Sequence, residues 1–191
     1  LARRACHAGS GVSSAPVALP GSLNLNRRLS QWLAIHADGF VSVYTGKVEL
    51  GQGIITVLAQ IAAEELDIDI SRVRVVAART GESPNEGVTA GSMSVHDSGG
   101  ALRQVCAEAR AIYLLAAAAR LNLAPVAAAK LEVSDGQIGT GGGKVTSYWD
   151  LADVALLDCE ACGVARPKPA GQLQLAAQRV DIPDKVMGHA R

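Results

Sequence analysis

Gly51, Gln52 and Gly53 set one long amide side chain between two glycines. Upstream, Phe40, Val41, Ser42, Val43, Tyr44 and Thr45 alternate as a strand, and downstream Ile54, Val57, Leu58, Ile61 and Leu66 keep helical spacing. The triplet therefore falls at a strand-to-helix turn. Glycines there let the backbone and an amide approach a polar ligand closely, at the positive end of a helix. Two readings are open. Either Gln52 donates its amide to an oxyanion or metal-oxo group, or the glycines relieve a sharp turn and Gln52 is solvated. A dinucleotide fingerprint is excluded, because Thr56 stands where its last glycine is required.

A second set comprises Thr89, Ala90, Gly91, Ser92, Met93 and Ser94. It closes a long polar stretch over 80–94 and opens into a long helix. Unpaired N–H groups and small hydroxyls at a helix entrance can form an anion nest for phosphate or pyrophosphate. Ordinary capping by Ser94 or Asp97 is the other reading. A ligand with several phosphates and a polar ring can be held between the two turns.

No catalytic set is legible. His96 and Asp97 are adjacent on a helix and are expected to point apart. Glu64 and Glu65 sit at a helix end and are expected to be solvated. Cys159 and Cys162 form a C-x-x-C pair, but a closed zinc or iron–sulfur site needs more ligands. Neither a catalytic residue nor a metal ligand is assigned.

The elements that must position these residues read as follows. Residues 1–24 are expected to be a flexible arm, with order beginning near Leu29. A hairpin turning at Asp38 and Gly39 precedes the glycine–glutamine turn. A helix ending by Leu66 and a strand over 72–77 complete a βαβ-type or split arrangement. The long helix starts near Asp97 or Ser98 and ends at Leu121. Its inner stripe is Leu102, Val105, Cys106, Ala109, Ile112, Tyr113, Ala116 and Ala119. A helical turn from Pro125, a hairpin at Asp135 and Gly136, and a mobile loop over 139–143 follow. A strand over 144–146 leads to a helix over 148–157 capped by Ser147. The fold class is α/β, with an α+β-like mixed sheet: one domain over 25–191 with strand hairpins packed on two longer helices.

Composition bounds the partners. The 191 residues are 49% apolar but only 3% aromatic, so small aliphatic side chains must make the core. Net charge is zero, which disfavours nucleic acid. The most apolar run, over 111–119, is far shorter than the roughly 20 residues of a membrane span. Arg3 and Arg4 are followed by no apolar region, so no export signal is expected.

The stretch Thr45-Gly46-Lys47-Val48-Glu49-Leu50-Gly51-Gln52-Gly53, with Ala59-Gln60-Ile61-Ala62-Ala63-Glu64-Glu65-Leu66, resembles the first cofactor segment of a known family. This is the molybdenum-pterin-binding large subunit of the xanthine dehydrogenase, isoquinoline 1-oxidoreductase and nicotinate dehydrogenase type. Gly87-Val88-Thr89-Ala90-Gly91-Ser92-Met93-Ser94 resembles its second segment. Asp181-Ile182-Pro183-Asp184-Lys185-Val186-Met187-Gly188 resembles the segment before its substrate-channel half.

The resemblance implies a molybdenum–molybdopterin cofactor, in the cytosine dinucleotide form found in bacteria. It implies hydroxylation of an N-heterocycle or aldehyde carbon with oxygen from water. By resemblance, Gln52 would contact an oxo ligand or the pterin side of the metal. Gly51, Gly53, Thr89, Ala90, Gly91, Ser92, Met93 and Ser94 would line the pterin and phosphates. The implied partners are the remainder of the large subunit and a [2Fe–2S] subunit or domain, with self-association through an uncovered apolar face. The family's general-base glutamate belongs to a later segment, so this chain alone is expected to be silent. Cytoplasm and bacterial periplasm are both open. The alternatives are a non-catalytic interaction domain or an unrelated anion-binding α/β module.

Overall fold

The computed structural model describes residues 17–90, 93–141, 143–169 and 177–189. Strands β1 (Leu33–Ile35) and β2 (Val41–Tyr44) pair antiparallel around the Asp38 and Gly39 turn. Gly39 takes φ +91°, a left-handed value that glycine adopts without steric cost. Helix α1 (Ile54–Leu66) then crosses over to β3 (Val73–Val76), which pairs parallel to β2. This is the expected βαβ connection, extended by one antiparallel edge strand.

Helix α2 (Gly100–Arg120) packs along α1, and the two bury the main core with the first sheet. A π-helical turn (Ser94–Gly99) precedes it, so the helical segment starts earlier than expected from Asp97. Its inner stripe also differs at the far end. Leu102, Val105, Cys106, Ala109 and Tyr113 are buried as expected, but Ala117 and Ala118 replace Ala116 and Ala119. Steps of four from Ala109 through Tyr113 reach Ala117, and the following 3-10 turn (Pro125–Lys130) covers that side.

A second sheet, β4 (Glu132–Ser134), β5 (Gln137–Thr140) and β6 (Gly143–Ser147), is an antiparallel meander. The loop expected over 139–143 is therefore mostly strand, with a register shift between Ile138 and Gly139 absorbing the irregularity. The helix expected over 148–157 does not form. Ser147 accepts a hydrogen bond from the Asp150 N–H at 3.0 Å, but Tyr148 N–H is taken by the Gly136 carbonyl. Tyr148 itself is fully buried edge-on against Tyr113. Tertiary packing overrides the local cap, and only a 3-10 turn (Val154–Leu156) remains.

The expected arm also ends sooner. Leu19 and Leu23 are buried in the core and Trp32 donates to the Asn26 carbonyl at 2.8 Å, so packed chain precedes Leu29. Apolar burial of two leucines offsets the ordering of this short segment. Residues 1–16 lie outside the described residues. A short helix α3 (Ile182–Val186) falls in the last described stretch. Among the described residues no helix is long and apolar enough to cross a membrane.

Candidate functional site

Beyond β2 the chain runs through residues 45–53 into α1. Gly51 and Gly53 take φ +102° and +82°, so the glycines bend the chain into the helix. Space around Gly51 is open. The helix N-terminus, however, is already occupied. The Glu49 carboxylate accepts the N–H groups of Gly51 at 2.8 Å, Gly53 at 2.9 Å and Ile55 at 3.3 Å. Arg179 reaches the same carboxylate at 3.3 Å and donates to the Gly51 carbonyl at 2.7 Å. Asp181 in turn holds Arg179, and this ion pair keeps the Asp181 carboxyl far below the usual range. The positive end of α1 is thus neutralised by the chain's own carboxylate rather than turned toward a ligand.

Burial pushes the Glu49 carboxyl up, but the hydrogen bonds from Gly53, Ile55 and Gly51 outweigh it and hold the group below its ordinary value of 4.5. A carboxyl depressed in the folded state stabilises the fold above its unfolded value and loses that contribution as pH falls through the folded one. Glu49→Gln is therefore expected to lower stability at pH 7 and to flatten the acid limb of the stability curve below about pH 4.5. Denaturant titrations at several pH values check this. Parallel acid limbs in parent and variant would remove Glu49 from the account.

Gln52 is exposed. Its Nε2 donates to the Val48 carbonyl at 2.9 Å, and its Oε1 accepts the Leu50 N–H at 2.5 Å. The amide is folded back on its own loop.

The second loop lies beside the first. Thr89 Oγ1 accepts the Val48 N–H at 3.0 Å. Ala90 and Met93 are exposed. Ser94 is 1% exposed, and its hydroxyl has no hydrogen-bond partner among the described residues. Gly91 and Ser92 lie outside the described residues. Thus Val48, just before the glycine turn, and Thr89, far apart in sequence, are brought side by side.

Sequence reasoning missed the residues that join them. Lys47 is 3% exposed, and its Nζ donates to the carbonyls of Glu86 at 2.8 Å and Val88 at 2.9 Å. The Glu86 carboxylate accepts from Thr45 Oγ1 and the Gly46 N–H, both at 2.7 Å, and from Ser22 Oγ at 2.8 Å. Asn26 and Asn85 exchange hydrogen bonds at 2.9 and 3.0 Å. Nothing in the polar surroundings of these two residues sets them apart by type or spacing from Glu49, Glu82 or Asn85 nearby.

Other expectations change. His96 Nδ1 and Asp97 Oδ1 are 2.9 Å apart, so the neighbours meet despite their adjacency. They sit in the π-helical turn, whose wider winding departs from α-helical side-chain directions. Glu65 is not solvated but 1% exposed, bonded to Arg103 and the Lys168 N–H. Cys162 N–H and Sγ both donate to buried Glu108. A cavity of about 600 Å³ opens at the C-terminal end of α1, lined by Glu64, Asp67, Asp69, Asp135 and Lys168 among others. The helix separates it from the glycine turn by about 20 Å, given ~1.5 Å per residue, and its carboxylates disfavour an anion.

Residues 2–180 match the family described as molybdopterin cofactor-binding domain. A nicotinate dehydrogenase subunit of Pseudomonas putida is 36% identical over 165 residues, covering 85% of this chain and 14% of that protein. The beta subunit of isoquinoline 1-oxidoreductase from Brevundimonas diminuta is 54% identical over 44 residues, 23% of this chain and 6% of that one. The crystal structure of Cu,Mo-CO dehydrogenase aligns with a TM-score of 0.49 at 29% identity, over 63% of this chain and 15% of that chain. The chain spans only a small share of each.

Proposed function

We infer the function from one premise: this chain belongs to the molybdopterin cofactor-binding domain family. It contributes contacts to a molybdopterin cofactor within the large subunit of a molybdenum hydroxylase. The observation that carries this reading is the joining of the two glycine-containing stretches by hydrogen bonds from Val48 to Thr89 and from Lys47 to Val88. The unpartnered Ser94 hydroxyl and the open space at Gly51 fit a polar ligand there.

When bound, the cofactor supplies oxygen-atom transfer and two-electron redox chemistry. This chain's own residues bind and orient. Glu49 holds the N–H groups of Gly51, Gly53 and Ile55, and the Gln52 amide, now bonded to Val48 and Leu50, is the side-chain donor that can turn outward from this exposed loop. A neutral amide suits an oxo or pterin oxygen. Thr89, Ala90, Gly91, Ser92, Met93 and Ser94 take the phosphates, in the cytosine dinucleotide form. The substrate class is an N-heterocycle or aldehyde. No proton transfer is assigned to this chain, which is inactive alone.

Exposed Leu50, Val88 and Met93 surround the two loops. They mark where the remainder of a large subunit closes over the cofactor. A [2Fe–2S] subunit or domain takes the electrons. A non-catalytic interaction domain is the second reading, favoured by one observation: the Gln52 amide is already satisfied by Val48 and Leu50.

Molybdenum and phosphorus per chain decide between them, measured on this chain alone and co-expressed with the remainder of the large subunit. The expected result is both elements in the co-expressed protein only. Neither element in either sample would overturn the cofactor reading and leave the interaction domain.

A further inference from the structure

We propose that Lys47 and Glu86 are positioning residues: a reciprocal clasp that fixes residues 46–48, which lead into the Gly51-Gln52-Gly53 turn, against residues 86–89. The inference rests on the cofactor reading above. Three observations carry it.

The first is direction. Lys47 leaves the first segment and binds main-chain carbonyls of the second, at Glu86 and Val88. Glu86 leaves the second segment and binds the main-chain N–H of Gly46 in the first. Each charged side chain grips the main chain of the other segment, so the two links together fix where the main chains lie, not merely that side chains touch. The Val48 N–H to Thr89 link continues the pairing toward the proposed ligand surface.

The second is cost. Lys47 is 3% exposed, yet among the described residues no carboxylate oxygen lies within ion-pair distance of its ammonium. A buried charge held only by carbonyls is an expensive way to fill a core that an apolar side chain would fill more favourably. What the ammonium supplies, and a leucine cannot, is a fixed geometry toward two carbonyls of a loop that has no strand or helix of its own.

The third is closeness. A Cβ at Gly46 would meet the Pro84 carbonyl oxygen at 2.5 Å. The two backbones are pressed together at this point, and only a glycine permits it. Thr45, hydrogen-bonded to both Glu86 and Ser98, ties the same junction to the π-helical turn that carries Ser94. The clasp therefore links the strand end before the glycine turn, the 86–89 loop and the π-helical turn.

The test uses Lys47→Met and Glu86→Gln, each read twice. Amide hydrogen exchange on this chain comes first. Residues 48–53 and 86–90 are expected to exchange at least about tenfold faster together in either variant, with the amides of α2 unchanged. A merely structural lysine would raise exchange everywhere as global stability fell. The second readout is molybdenum and pterin per chain after co-expression with the remainder of the subunit, expected to fall at least about fivefold in both variants while the parent is loaded. Unchanged exchange in 86–90 when Lys47 is altered overturns the clasp, whatever the metal content. A parent without molybdenum overturns the cofactor reading instead, and the exchange result still decides whether the segments are coupled. If Lys47→Met fails to fold, Glu86→Gln decides alone, because it keeps the side-chain volume.

Discussion

Glu65→Ala is expected to cost about 3 kcal/mol of folding stability, within the range for breaking a buried ion pair from one side. Glu65 is 1% exposed on the inner face of α1. It accepts Arg103 Nε from α2 at 2.8 Å and the Lys168 N–H at 3.1 Å. Arg103 also donates to the Lys168 carbonyl. One carboxylate thus joins both long helices to the extended segment that crosses them. Removing it leaves the Lys168 N–H unpaired and a guanidinium without its counter-charge. Arg103 is 29% exposed, so water recovers part of the loss and the cost falls at the lower end of that range. For a domain this size the melting temperature should drop by about 10 °C. Replacing Glu65 and Arg103 together by leucine should recover much of the loss, because no charge is then stranded. Denaturant unfolding of parent, single and double variants checks both statements. A single-variant cost under about 1 kcal/mol would mean that the pair behaves as an exposed one.

In the complete, cofactor-loaded subunit, Gln52→Ala is expected to lower kcat by about 10²-fold with assembly unchanged, the scale for losing one preorganised donor to developing charge. The proposed role needs the amide to turn outward. Its present bonds to Val48 and Leu50 are local and exposed, each worth only about 1 kcal/mol net, so the rearrangement is small. Gln52→Glu is the sharper variant, because it keeps the shape and replaces the donor with an acceptor. Molybdenum content separates the causes: retained metal with lost turnover places Gln52 at the chemistry, and lost metal places it in binding. Unchanged kcat with full metal would remove it from the site.

Much of the fold was legible because it is local. The hairpin at Asp38 and Gly39, the strand–helix–strand unit around α1, and the turn at Asp135 and Gly136 follow from side-chain periodicity and from the few residues that tolerate positive φ. The failures have one physical form. Ser147 makes its expected capping bond, yet no helix follows, because burying Tyr148 against Tyr113 is worth more than a short helix. Glu65 read as a solvated helix-end charge because its partners, Arg103 and Lys168, lie 38 and 103 residues away.

The candidate site divides in the same way. Its two glycine-rich segments were legible as turns at helix entrances, since glycine and small hydroxyls carry that information in their own backbone preferences. Their juxtaposition was not, nor was the use of Glu49 to close the N-terminus of α1. The choice of Lys47 and Glu86 to hold the segments together was equally hidden. Where the chain bends, and the apolar face of α1 and of the first turns of α2, could be read from the residues alone, because these depend on neighbours within one or two turns. Only the tertiary structure decided which charges are buried and what they hold, because a buried charge is specified by partners the chain brings from a distance, and hydrogen-bond geometry has no period to read.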